Sequence, residues 1–203
     1  MVDTLKRKII FEFIFIFIII PLLVILNNEK LFVFITLLLF FFISIFLLKN
    51  TKNFSFKSFS KKTDWKYICF FSCMFIIAGF IYTIIIDKNL LFNLPANNFS
   101  LWVIVVLIYP FFSVIPQEFI FRVLFFERYE NLFKSQNIAI LVNSIIFAYI
   151  HLVFQNFHAV FITAITSPIF AYAYLKKSLL TCIIIHSIGG QIIFSYGLGK
   201  FFY

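Results

Sequence analysis

Apolar residues in this chain come in runs close to twenty residues long, separated by brief polar intervals. Runs of that length predict membrane-crossing helices, since about twenty helical residues span a bilayer core. On hydropathy and length the spans fall at about 9–27, 31–48, 67–86, 100–129, 138–155, 158–175 and 179–196. The fourth is too long for one straight crossing. It contains Pro110 and Pro116, each lacking the N–H that an inner helical position donates, so a kink or a break is expected there. The prediction is an all-α fold, a polytopic integral membrane helical bundle of about seven to eight transmembrane helices.

The connections are short, with one exception. The stretch "KNTKNFSFKSFSKKTDWK", residues 49–66, is polar and basic and reads as a linker. It divides the chain into an N-terminal membrane hairpin with its basic cytoplasmic loop (1–66) and a helical bundle (67–203) whose candidate motifs lie within 117–191. The start, "KRKIIFEFIFIFIIIPLLVIL", has the basic lead of a signal peptide. Its apolar stretch is too long for one and no small-residue cleavage site follows, so a retained first span is expected. There is no internal repeat.

Composition agrees. Of 203 residues 63% are hydrophobic and 34 are Phe, with a mean hydropathy of +1.06, more apolar surface than a water-soluble domain of this length could hide. The net charge of +9 would suggest nucleic acid in a soluble protein, but its placement argues otherwise. With the N-terminus cytoplasmic, thirteen basic residues fall inside, from Lys6, Arg7 and Lys8 to Lys176 and Lys177, and only Lys30, Lys88 and Lys200 fall outside. The charge therefore sets topology in the cell (cytoplasmic) membrane and contacts lipid; no nucleic-acid partner is expected. Cys69, Cys73 and Cys182 lack metal-type spacing and read as small apolar fillers.

Charged or imidazole side chains within spans are costly unless paired or watered, so each is a functional candidate. They are Glu12, Glu118, Arg122, His151 and His186, while His158, beside a short predicted outer turn, reads as interfacial. Glu12 lies one turn past Lys8 and is expected to pair with it or reach the interface. Glu118 and Arg122 stand four apart, on one face of an α-helix. Glu118, Arg122, His151 and His186 are expected to converge in one polar pocket. A count at 1.5 Å per residue sets Glu118 and His151 at equal depth, with His186 shallower by roughly 10 Å.

Several chemistries are excluded. An aspartyl intramembrane protease needs two Asp within spans, but Asp3, Asp64 and Asp87 lie at ends or in loops. The G-x-S-G context of a rhomboid-like serine protease is absent, as is HExxH. What remains is a glutamate with two histidines. Glu118 can accept a proton from water, His151 can hold that water, His186 can donate to a developing oxyanion, and Arg122 can keep Glu118 ionised. Glu118, His151 and His186 would equally suit zinc, and the sequence accommodates a metal-free site and a zinc site alike.

"QEFIFR", then "FAYIH", then a late intramembrane His resemble the three motifs of the CAAX-protease and bacteriocin-processing (CPBP, or Abi) family, EExxxR, FxxxH and HxxxN. The resemblance covers roughly residues 100–203. It implies a multi-pass helical fold and an intramembrane endopeptidase in which Glu and His activate water, acting on a peptide or membrane-protein substrate. By position, Gln117 and Glu118 take the two-glutamate place, Arg122 the arginine, Phe147 and His151 the second motif and His186 the third. The sequence departs from the pattern twice. Gln117 replaces the first glutamate, and Gly190 replaces the final asparagine, with Gln191 beside it as a substitute if the helix shifts register at Gly189-Gly190. Two other classes stay open: a catalytically silent relative acting as a membrane immunity or scaffold protein, and a small transporter using Glu118, Arg122 and the histidines as a relay.

Overall fold

In the computed structural model, which describes residues 2–27, 29–51, 54 and 61–202, every regular element is a helix and no strand occurs among the described residues. The main helices are α1 (2–27), α2 (Lys30–Lys49), α3 (Trp65–Asp87), α4 (99–129), α5 (Gln136–Ile150), α6 (157–177) and α7 (Leu179–Ser195). Six helical stretches are long and apolar enough to cross a membrane, and α7 is a shorter apolar helix. The chain is a polytopic helical membrane protein. Of the basic loop, residues 52, 53 and 55–60, with Lys52 and Lys57, lie outside the described residues.

The expected break in α4 does not occur; the helix widens instead. Pro110–Val114 is π-helical, and it contains Phe112, the residue whose carbonyl Pro116 cannot serve. The same device recurs in α1, where the π-helical turn Phe15–Ile19 contains Phe17, four residues before Pro21. An i→i+5 turn relaxes the crowding between the proline ring and the preceding turn without ending the helix. A longer π-helical stretch, Phe119–Tyr129, contains no proline, and its Phe121 carbonyl accepts from the buried Asn143 amide on α5.

The chain forms two compact units, Met1–Ser55 with Phe119–Ala171, and Phe56–Glu118 with Tyr172–Tyr203. In lipid, helices associate through close packing and hydrogen bonds more than through hydrophobic burial, and the first unit uses both. Phe17 is fully buried, its ring centroid 5.5 Å from that of Phe125 and 5.6 Å from that of Tyr129, edge-on to each. Each such pair contributes about 0.5–1.5 kcal/mol beyond its buried area. Beside them Glu12 pairs with Arg128, not with Lys8 as expected: Nε donates to Oε1 at 2.5 Å and Nη2 to Oε2 at 2.9 Å, while the Tyr129 hydroxyl also donates to Oε1. Arg128 prevails because its planar fork matches both carboxylate oxygens at once, and its Nη1 reaches Thr51 Oγ1 at 3.0 Å.

In the second unit α3 packs on α7 through Gly79, where a Cβ would come within 3.1 Å of Ile192 and 3.3 Å of Tyr196; a small residue lets the backbones approach. Asp64 caps α3 by accepting from the Tyr67 N–H at 2.9 Å and pairs with Lys177 at 2.8 Å. Its own N–H donates to Thr181 Oγ1 at 3.0 Å. The end of the basic loop thus lies against the Lys176-Lys177 turn. The ion pair with Lys177 and the Tyr67 N–H hold the Asp64 carboxyl below the usual carboxylate range.

Candidate active site

Glu118 closes the short α-helical segment Ile115–Glu118, between the two π-helical stretches of α4. Its side chain is 0% exposed. A carboxylate so placed is strongly disfavoured unless its oxygens are held, and both are. His186 Nδ1 lies 2.7 Å from Oε1, and Cys182 Sγ donates to Oε2 at 2.8 Å. A carboxylate only accepts, so the His186 contact puts the proton on Nδ1 and leaves Nε2 to face the other way. On that side the Tyr109 hydroxyl sits 3.4 Å from Nε2. Cys182 and His186 are one turn apart and share a face of α7.

The expected 10 Å depth difference between Glu118 and His186 is therefore wrong. The count took 1.5 Å of rise for every residue as in an ideal α-helix, and the eleven residues Phe119–Tyr129 are π-helical instead. Cys182 is also more than a filler, since it binds a carboxylate oxygen. Its place one turn before His186 was the available signal. Tyr109, nine residues before Glu118 and next to Pro110, carried no local signal.

The two positions that depart from the motif pattern are engaged elsewhere. The half-buried Gln117 donates through Nε2 to Ser113 Oγ at 2.7 Å. α7 runs as α-helix through Gly189-Gly190 with no register shift, and Gln191 Nε2 donates to the Val106 carbonyl at 2.9 Å. The Gln191 amide is thus engaged with α4 while the helix keeps its register.

In the first unit, Arg122 and His151 flank Phe147. Arg122 is fully buried, donates to Ser167 Oγ at 3.0 Å, and lays its guanidinium 4.5 Å from the Phe147 ring centroid. The cation–π contact helps offset its desolvation. His151 follows the last residue of α5, and its Nδ1 donates to the Phe147 carbonyl at 2.6 Å. A carbonyl can only accept, so Nδ1 carries a proton and a neutral ring keeps Nε2 as its acceptor. Phe147 thus fixes the histidine with its backbone and supports the arginine with its ring. Among the described residues no three His, Cys, Asp or Glu side chains cluster in a way that could hold a metal ion.

Residues 99–189 match the family described as type II CAAX prenyl endopeptidase Rce1-like. The chain carries an Rce1-like domain. The match takes in Glu118, Arg122, His151 and His186 and stops one residue short of Gly190. No curated protein and no solved structure matches the chain. The Rce1-like domain covers less than half of the chain and contains both members of the buried Glu118–His186 pair.

Proposed function

We propose that this chain is an intramembrane endopeptidase that hydrolyses a peptide bond with water activated at Glu118. The observation that carries this reading is the buried Glu118–His186 pair, 2.7 Å apart, inside a stretch that matches a peptidase family. A carboxylate oxygen has lone pairs beyond those used by His186 and Cys182, so Glu118 can also accept from a water molecule. It takes that proton as the water oxygen attacks the scissile carbonyl, then delivers it to the leaving nitrogen. His186 fixes the carboxylate and shares its charge. The resemblance adds His151 as a second imidazole and Arg122 as a fixed cation, roles that substitution of each residue tests in the same assay. No step is routed through a metal.

The substrate class is a peptide or membrane protein. The enzyme is read as a multi-pass protein of the cell membrane with a cytoplasmic N-terminus, supported by the thirteen-to-three charge bias and by the contact of Asp64 with Lys177. A silent-scaffold reading rests on Gln117, whose amide binds Ser113 and cannot take up a proton. The deciding experiment incubates purified protein in detergent with a fluorogenic peptide ending in a prenylated CAAX sequence and with a mixed peptide library read by mass spectrometry. Cleavage that survives a chelator is expected. No cleavage of any peptide would favour the scaffold, and chelator-sensitive cleavage would favour zinc.

A further inference from the structure

We propose that Tyr109 is a catalytic residue of this site, its hydroxyl donating a hydrogen bond to the anionic oxygen that forms on the scissile carbonyl. The inference rests on the peptidase reading above and adds a residue to it.

The geometry begins with a glycine. A Cβ built on Gly190 would stand 2.2 Å from Tyr109 Cε1 and 2.6 Å from both Cζ and the hydroxyl oxygen. No side chain fits there unless the tyrosine moves, so the tyrosine occupies the volume that residue 190 would otherwise fill. Position 190 is where the third motif calls for a side-chain donor, and neither Gly190 nor the engaged Gln191 supplies one. Tyr109 brings a hydroxyl to the same place from α4. Its ring is held edge-on by Phe194 at 5.3 Å and lies edge-on to His186 at 6.4 Å. The hydroxyl stands 3.4 Å from His186 Nε2, so Glu118, His186 and Tyr109 form one line of polar groups ending in a donor. A phenol, with an ordinary pKa of about 10, keeps its proton at neutral pH and can donate without giving it up.

The water oxygen bonds to the carbonyl carbon, the water proton goes to Glu118, and the carbonyl π pair moves onto oxygen. Tyr109 turns its O–H from Nε2 to that oxygen. Collapse restores the C=O bond and breaks the C–N bond, and the proton on Glu118 passes to the nitrogen. A donor aimed at charge that exists only in the transition state lowers the barrier without tightening substrate binding.

Tyr109→Phe removes the hydroxyl and keeps the ring against Gly190. Its kcat is expected to fall about 10²–10³-fold, as for loss of one oxyanion donor, with KM and Tm close to wild type. The complementary test moves the donor back to α7. Gly190→Asn alone should inactivate through collision with Tyr109, and Tyr109→Ala alone should lose the donor. The double variant Tyr109→Ala/Gly190→Asn should recover about tenfold or more in kcat over Tyr109→Ala, a gain that only a returned donor gives. A Tyr109→Phe enzyme with wild-type kcat overturns the inference while Glu118→Gln remains inactive. Wild-type protein that cleaves no peptide overturns the peptidase reading and this inference with it.

Discussion

Glu118→Gln separates a base from a structural ion pair. The substitution keeps the side-chain volume in a fully buried position. The amide oxygen can still accept from His186 Nδ1, now 2.7 Å from Oε1. The amide nitrogen takes the place of Oε2 and faces the Cys182 sulfur, a weak acceptor 2.8 Å from that oxygen. At these two contacts the loss is the difference between a charge-assisted and a neutral hydrogen bond, about 1–2 kcal/mol of stability. The loss of a positioned base, by contrast, costs about 10²–10⁴ in rate, or about 3–5 kcal/mol of barrier. The measurement is thermal unfolding and peptide cleavage on the same purified protein in detergent. A small drop in Tm with activity nearly abolished is expected. A purely structural pair predicts the reverse, a stability loss of about 3–5 kcal/mol as one partner is stranded, with the surviving folded fraction fully active. That result would refute the catalytic reasoning.

Three further outcomes are expected. Asp64, with its carboxyl lowered by Lys177 and the Tyr67 N–H, contributes stability that is present above its unfolded pKa of about 3.9 and lost as pH falls through the lower folded value; Asp64→Asn should therefore trail wild type in Tm near neutral pH and converge with it in acid. Arg122→Lys keeps the charge but gives up the planar stack on Phe147 at 4.5 Å, and should lower stability by about 1–2 kcal/mol in chemical denaturation, whereas an unchanged midpoint would mean that the stack contributes nothing. In a Cys69→Ala/Cys73→Ala background, Lys61→Cys should react with an impermeant maleimide only from the cytoplasmic side and Lys200→Cys only from outside; labelling with sides exchanged would invert the proposed topology.

The spans were legible because twenty-residue apolar runs carry their own signal, and five of the seven main helices begin and end within two residues of where hydropathy puts them, while α1 starts at Val2 and α5 ends at Ile150. Glu118 and His186 were legible for a related reason: an ionisable group stands out against lipid-soluble sequence. Their meeting was expected, because ionisable groups buried apart in lipid would each be costly; its geometry was not, since a count along an ideal α-helix set them roughly 10 Å apart in depth and the partner of each carboxylate oxygen is chosen by tertiary packing. The partner of Glu12 was hidden in the same way. Lys8 is one turn away in sequence, but Arg128 is brought in by the fold. Tyr109 was hidden because the signal for it sits at another residue: the missing side chain at Gly190 reads as a loss until the ring that fills its volume is seen.

The Glu12–Arg128 pair also has a history within each molecule. The two residues are 116 apart in sequence, so the ribosome makes the acid long before the base. At about 5–20 residues per second the interval is roughly 6–23 s. Throughout it the Glu12 carboxylate lacks the guanidinium it finally pairs with, and Arg7 and Lys8, within α1 itself, are the cations at hand. The first helix is thus expected to sit shallow at the membrane surface while synthesis proceeds and to settle to its final depth once α4 arrives. A nascent chain arrested before residue 128 should hold α1 closer to the surface than the finished protein does, and Glu12→Gln should remove that delay.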